Sequence, residues 1–380
     1  MKASYIRSFL LPGALALGFC PKSLLARSFI EHDLVSDIPG RADHTDPNLS
    51  NPWGISLSPT SPFWVADNKT GVSTLYDGEG VPRSLVVSIP PPGGGTPPAS
   101  PTGTVFNGGS GFEVAPGLPA RFLFATEDGT ISGWNPAAAP TAAILKVDHS
   151  GTALYKGLAI GNNGSADHLY AANFKEGSID VFDTAFAPAS LSGSFTDPTL
   201  PAGYAPFNIQ NLGGKLYVTY ALQDGGQKDD VPGAGHGFVD VFDLNGNLLQ
   251  RLVSQGALNS PWGLVIGPED FGPFEGDLLV GNFGDGRINA YDLSSGKFLG
   301  SLKGPDGKPI EIEGLWALTA GNGANGGDED DLYFTAGISD EEHGLFGEIG
   351  HRVPETGNRL SVLFGALTIG LLHWRRAQAR

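Results

Sequence analysis

LYAANFKEGSIDVFD, residues 169–183, spells out a complete hairpin. An apolar run leads to a turn at Gly177, and Ile179 and Val181 then recur at period two before a closing Phe182-Asp183. Such alternation marks a strand with one buried face, and the turn favours a residue without a Cβ. The phrase returns five more times: WVADNKTGVSTLYD (64–77), LFATEDGTISGWN (123–135), LYVTY…GFVDVFD (216–243), LLVGNFGDGRINAYD (278–292) and LYFTAG…HGLFGEI (332–349). The anchoring glycines Gly71, Gly129, Gly177, Gly237, Gly286 and Gly344 stand 48 to 60 residues apart. That period predicts a propeller or a solenoid.

Most copies are preceded by a short apolar run: NPWGISL (51–57), GFEV (111–114), YKGLAI (155–160), PFNIQNL (206–212), SPWGLVI (260–266) and GLWALTA (314–320). Most are followed by another strand, such as RSLVVSI (83–89), AAILKVD (142–148), LLQRLVS (248–254) and KFLGSLK (297–303). Four strands in each of six repeats give an all-β, six-bladed β-propeller. The sixth copy lacks a fourth strand. FIEHDLVSDI (29–38) supplies one ahead of the first blade, so the ring is expected to close by pairing this N-terminal strand with the last blade, which removes two exposed edges.

The propeller is therefore expected over residues 27–350, between a leader at 1–26 and a tail at 351–380. The chain has 56 Gly and 29 Pro among its 380 residues and a formal charge of −17. Lys2, Arg7 and Lys22 give the leader +3, and Arg359, Arg375, Arg376 and Arg380 against Glu355 give residues 353–380 the same, which leaves −23 on 27–352. A body so acidic repels nucleic acid and anionic lipid. Cys20 is the sole cysteine, which rules out a disulfide framework.

Lys2 and Arg7 precede an apolar stretch at 9–19 and a candidate cleavage site at Leu24-Leu25-Ala26, the pattern of a secretory signal peptide. Phe19 before Cys20 is too bulky for a lipoprotein site. At the other end Val353, Pro354, Glu355, Thr356 and Gly357 form a VPETG tag, followed by an apolar stretch at 360–374 and then Arg375, Arg376 and Arg380. About 20 apolar residues make a stable membrane span; this C-terminal apolar helix is shorter and ends on a basic stop. Tag, helix and arginines together resemble bacterial sorting signals. VPETG is one residue from the sortase pattern LPxTG and is similar to the VPDSG and PEP-type (PEP-CTERM) signals handled by exosortases. The resemblance implies an exported protein at the cell surface or outside the cell, anchored at first through 360–374, with an exosortase-like transpeptidase as a partner.

LVSDIPG (34–40), HTDPNLSNPWGI (44–55), LYAANFKEGSIDVFD and GLFGEI (344–349) give the body, over residues 34–349, a further resemblance. It is similar to NHL-like propellers, and above all to a family of secreted bacterial propellers that often carry PEP-type signals. That family implies the fold and the surface address, and no activity.

Propeller sites collect on the face where the blade-to-blade loops and the loops between strands two and three emerge. This face is expected to receive His44 and Asp46, the insert 222–237 with Asp224, Lys228, Asp229, Asp230 and His236, and Asp340, Glu341, Glu342 and His343. The proline-rich stretch 90–100 crosses the same rim. Oxygen ligands in such numbers suit Ca2+ or another divalent cation. Resemblance to six-bladed lactonases, which hold metal at the channel mouth through Glu, Asn and Asp, implies Asn51, Asn208 and Glu113 as ligands, with Asn173 and Asn282 nearby. The same side chains also cap turns, and no EF-hand or zinc spacing is present. His44 with Asp46 reads either as a general base with its orienter or as an anchor of the entry loop. Trp53, Trp262 and Trp316 occupy matching phrases, which reads as one core position repeated, with a sugar platform as the alternative. DEDD (328–331) reads as a solvated turn on the opposite face. There is no G-x-S-x-G nucleophile. Two functions follow: a surface-anchored binding propeller for matrix polysaccharide or a surface protein, or a metal-dependent, lactonase-like hydrolase or lyase. A spacer in the surface coat is the third.

Overall fold

The computed structural model describes residues 28–352 apart from 96 and 97. Blade one comprises Pro52–Ser56, Phe63–Asp67, Val72–Tyr76 and Val87–Ser88, innermost strand first. Blade two comprises Pro101–Phe106, Phe122–Thr126, Thr130–Trp134 and Ile144–Asp148. Blade four has Tyr204–Leu212, Lys215–Leu222, Phe238–Phe242 and Leu248–Ser254; blade five has Pro261–Ile266, Leu278–Asn282, Ile288–Tyr291 and Phe298–Ser301. Blade three keeps three ladder strands, Tyr155–Asn162, Asp167–Asn173 and Ser178–Phe182. Its fourth is reduced to the Phe182–Pro188 bridge and a bond from Ala189 N to Val181 O at 2.8 Å. The inner strands of neighbouring blades touch all the way round, so the six sheets form a closed ring.

Blade six is made from both ends of the body. Leu315–Ala320, Leu332–Ala336 and Leu345–Arg352 are joined by Ser28–Ser36 as the outer strand, antiparallel, from Ser28 opposite Arg352 to Ser36 opposite Leu345. The expected closure is thus observed. Phe29, Leu34 and Val35 are buried, and the Phe29 ring lies 4.9 Å from that of Phe271 in blade five. The closing strand therefore also wedges blade six against its neighbour. His44–Thr45 adds a short parallel strand outside it, with His44 opposite Val35.

One inner strand differs from expectation. In blade two it is Pro101–Phe106, whereas Glu113–Ala115 and Leu118–Pro119 form a small hairpin hung between the first and second strands. GFEV has apolar residues but lacks the glycine that stands third in Pro52–Ser56, Pro101–Phe106, Tyr155–Asn162 and Pro261–Ile266. A Cβ on Gly54 would come within 2.5 Å of the Thr102 carbonyl oxygen, and Gly103 abuts the Leu158 backbone in the same way. The last strand also runs to Arg352, past the expected boundary at 350.

Among the described residues no helix is long and apolar enough to cross a membrane. The expected signal peptide 1–26, the tag Val353, Pro354, Glu355, Thr356 and Gly357, and the apolar stretch 360–374 lie outside the described residues.

Candidate functional site

Each inner strand carries a register shift near its start: Pro52/Ile55, Tyr155/Gly157, Pro206/Asn208, Pro261/Gly263 and Leu315/Leu318, with the matching shift in blade two at Phe124/Thr126 on the paired strand. A bulge leaves a residue out of the ladder and re-aims its side chain. The residues at this level, in blade order, are Trp53, Thr102, Lys156, Phe207, Trp262 and Trp316. Five blades supply aromatic rings or a threonine, and blade three supplies an ammonium.

The aromatic members plug the channel. Trp53 stacks on Trp316 with centroids 3.6 Å apart, Phe283 stacks on the other side of Trp316 at 4.1 Å, and Trp262 meets both indoles edge-on at 6.3 and 5.8 Å. The three matching tryptophans are thus buried together as core. Lys156, its side chain 3% exposed, points its Nζ at the rings of Trp53, Phe174 and Phe207, 4.9, 5.4 and 5.7 Å from their centroids. A desolvated ammonium over aromatic faces is held by the ring quadrupoles.

A belt of hydrogen bonds runs around the mouth above this plug. Trp316 Nε1 donates to Asn51 Oδ1 (3.1 Å), and Asn51 Nδ2 donates to Glu341 Oε2 (2.7 Å) and reaches Asn68 Oδ1 (3.5 Å). Asn68 Nδ2 donates to Glu127 Oε2 (3.0 Å), and Lys156 Nζ donates to Glu127 Oε1 (3.0 Å). The belt spans blades six, one, two and three. Blade four adds Asp229, whose Oδ1 is 4.0 Å from Lys156 Nζ, and Asp230; blade five adds Ser260 beside Asp230. The backbone here is strained. Asn51 and Ser260 precede prolines with φ of 48° and 46°, and Ser339, Asp340 and Glu341 form a left-handed turn with φ of 57°, 55° and 63°. Such conformations cost about 1–3 kcal/mol each and persist where the surroundings impose them.

The carboxyls of the mouth differ in acidity. Burial alone would raise Glu127, but the Lys156 charge and hydrogen bonds from Lys156 and Asn68 outweigh it and hold Glu127 below its ordinary value. Glu341 is raised, mainly by burial and then by the charges of Glu127 and Asp230, against the Asn51 hydrogen bond and Lys156. Asp230 is also raised, by burial above all, against Ser260 and Lys156. The mouth thus holds one firmly ionised carboxylate and two carboxyls pushed toward the protonated form.

Of the residues singled out from sequence, Asn51, Asp229, Asp230 and Glu341 come together here. His44, Asp46, Asn208, Glu113, Asp224, His236 and His343 do not. Asp46 anchors the entry loop, accepting from Tyr76 Oη (3.0 Å) and from Asn48 N (2.9 Å), and His44 lies on the outermost strand of blade six. Asn208 is spent in the channel wall, donating to Trp262 O (2.8 Å). Glu113 sits on the hairpin between strands one and two, away from the mouth, accepting from Gly117 N (3.0 Å). Asp224 closes its own turn by accepting from Lys228 N (2.9 Å); His236 Nδ1 lies 2.8 Å from Val231 O, and His343 Nδ1 lies 2.8 Å from Asp37 Oδ2. Among the described residues no group of three His, Cys, Asp or Glu side chains is arranged to hold a metal ion. Lys156, Glu127 and Asn68 are site residues that the sequence reading passed over. Their signal was the lysine of YKG standing where PWG, PFN and LW place an aromatic.

Beside the mouth, between blades five and six, lies an open cleft of about 530 Å3, lined by Phe283, Asp285, Glu311, Glu313, Asp340 and Glu341 among others. Glu341 is therefore shared between cleft and mouth.

No family model matches the chain. It is 35% identical over 327 residues to the uncharacterised protein R648 of Acanthamoeba polyphaga mimivirus, covering 83% of this chain and 78% of that one. It is 34% identical over 344 residues to the uncharacterised protein L690 of the same virus, covering 87% and 88%. Among solved structures, a glucose dehydrogenase superposes with a TM-score of 0.53 at 12% identity, over 84% of this chain and 99% of that one, a likeness of fold. The NHL-like propeller expected from sequence thus holds as architecture, and the two relatives named are viral.

Proposed function

The chain belongs to one family with the mimivirus proteins R648 and L690, and from the geometry of its channel mouth we propose that it is a binding propeller, exported and held at a surface, that engages matrix polysaccharide or a surface protein there. The observation that carries this reading is the Lys156–Glu127 pair. Five blades close the channel with aromatic rings or Thr102, while blade three inserts Lys156, which pairs with Glu127 of blade two and is connected through Asn68 and Asn51 to Glu341 on the cleft wall. Burying a pair costs desolvation that rings at the same position would avoid. Strain at Asn51, Ser260 and 339–341 gathers at the same place. A ring needed only for support would have had no use for either.

The test is retention of matrix polysaccharides and surface proteins by the purified chain, compared with Glu341→Gln and Asp230→Asn. Retention by the parent and loss in both variants is expected; no retention by the parent overturns the reading. The surface address belongs to the same proposal and is read from residues 1–26 and 353–380. Intact-mass measurement of the exported protein is expected to show a chain that starts after residue 26 and is cut at the VPETG tag.

One observation favours a second reading, a hydrolase or lyase. Glu127 is held ionised while Glu341, two asparagines away, is pushed toward its protonated form. Carboxyls whose acidities are pulled apart are how one site runs acid and base chemistry together. Turnover of a lactone or glycoside with a pH profile that changes in Glu341→Gln would establish it. In this reading the cation among the carboxylates is the protein's own Lys156.

A further inference from the structure

Blade three hands on to blade four through a long connection, and its stretch 196–202 lies across the outer part of blade four as a strap. Hydrogen bonds fix both ends: Gly193 N and Phe195 N donate to Asn245 O (2.8 Å) and Gly246 O (2.9 Å), and Gln223 N donates to Gly203 O (2.8 Å). Between those ends one polar cluster holds the strap, with Leu200 half-buried beside it. Arg251, on the outer strand of blade four, donates from Nη1 to Thr199 O (3.1 Å) and pairs through Nη2 with Asp197. Its Nε lies 3.4 Å from Asp240 Oδ1, and its guanidinium sits 5.0 Å from the centre of the Phe238 ring. Asp197 Oδ1 in turn shapes the strap, accepting from Thr199 N (2.7 Å) and Thr199 Oγ1 (2.8 Å).

The cluster has two carboxyls for one guanidinium, and both are shut away from water: the Asp197 and Asp240 side chains are 2% and 0% exposed. They are also hydrogen-bonded to each other. Ionised carboxylates only accept, so that bond needs a proton, and two carboxyls in one buried site hold one between them. Burial, then the Asp197 charge, lifts Asp240 to about 7 against Arg251. Asp197 is held below its ordinary value by Thr199 and Arg251, although burial works the other way. The proton therefore sits on Asp240 and is donated to Asp197. Asp240 Oδ2 accepts from no donor, so the site is poorly made for a second negative charge. The remaining titratable group facing Asp240 is Tyr220 on the second strand, kept protonated by its burial. Its own strand, Phe238–Phe242, carries no further charge.

We propose that 196–202 is a pH-released strap, fastened while Asp240 and Asp197 share a proton and freed when that proton is lost. With the proton in place, the strap is pinned through Asp197 and Thr199. Without it, two buried carboxylates compete for Arg251 and repel each other. Asp197, carried on a loop, relieves this by moving into water, which Asp240, on the third of four strands, cannot do. The sign follows from the raised acid: the fastened state is favoured below the Asp240 value and lost as pH rises through it. Release uncovers Arg251 and Phe238 on the flank of blade four. The channel mouth takes no part, so the strap goes beyond the binding reading.

The test is electron paramagnetic resonance of a nitroxide on Thr196→Cys, an exposed strap position, in the full chain with Cys20→Ser. The spectrum is expected to be that of an immobile label in acid, with a mobile component whose ratio to the immobile one rises up to about tenfold for each pH unit above about 7, as loss of one proton on opening requires. A label on Ser165→Cys, at the exposed hairpin tip of blade three, is expected to keep one spectrum throughout. Asp240→Asn leaves Asp197 a donor at every pH and is expected to hold the Thr196→Cys label immobile across the range. A pH response that survives in Asp240→Asn overturns the proposal, and so does a mobile component that appears equally at both label sites. Because a buried substitution could fail to fold, the chain with native Asp240 is decisive on its own: no rise of the mobile component between about pH 6 and about pH 9 overturns the strap as well.

Discussion

Lys156 is the residue whose removal separates support from function most cleanly. In Lys156→Met the aliphatic stem survives but Glu127 is left buried without its cation, and breaking one side of a buried pair costs about 3–5 kcal/mol. Adding Glu127→Gln removes the stranded charge, so the double variant is expected to be more stable than Lys156→Met alone, as read from urea midpoints. If the two changes prove additive, the ion pair is not the coupling the geometry implies. This residue was hard to read in the chain. YKGLAI looks like an apolar strand with one stray lysine, and only the register shift shared by the six inner strands reveals that the lysine stands at the level of Trp53, Phe207, Trp262 and Trp316. Asn51, Asp229 and Asp230 were legible because polar residues on rim loops announce themselves. Asn208 and Glu113 looked alike in sequence to true mouth residues, and only placement told them apart.

At the scale of the element, the closest approaches are between inner strands. Gly54→Ala would put a Cβ 2.5 Å from the Thr102 carbonyl oxygen and 3.0 Å from Thr104 N, both backbone atoms that cannot swing aside. A loss of about 1–3 kcal/mol is expected in equilibrium unfolding, with little change for Gly151→Ala, where a Cβ meets nothing within 4 Å and φ lies outside the left-handed region. The closing strand offers a second check. Phe29→Ala empties a pocket against Phe271 and Phe274 and is expected to cost about 3–5 kcal/mol. The strand itself was readable, since a four-strand blade with three strands in sequence demands its fourth from elsewhere. The blade two strand was not, because PTGTV carries no large apolar residue. What marks these inner strands is a small residue at the third place, Gly103 here, as much as the large apolar one beside it.

Across the whole molecule, stability is expected to depend on pH through a few buried acids. Burial first, then the neighbouring Asp197, lifts Asp240 to about 7 against the pull of Arg251, and burial lifts Asp331 to about 6. In the unfolded chain both sit near 3.9. A carboxyl raised on folding binds its proton more tightly when native, so its contribution is whole below about pH 4 and fades as pH climbs through 6 and 7. Glu127 and Asp197 are lowered and act in the opposite sense, contributing above about pH 4 and failing on further acidification. The melting temperature is therefore expected to rise from pH 8 to about pH 5 and to fall below pH 4, and Asp240→Asn should flatten the upper limb. A melting curve independent of pH between 5 and 8 would remove this account.

The pairing of Ser36 with Leu345 also sets a clock. At about 5–20 residues per second of synthesis, the stretch with Phe29, Leu34 and Val35 waits on the order of 15–60 s for the residues that will cover it. Throughout that interval it is an unpartnered apolar strand, open to any chain nearby. A nascent protein stalled short of residue 345 would stay in that state, which makes this seam the place where a chaperone has most to protect.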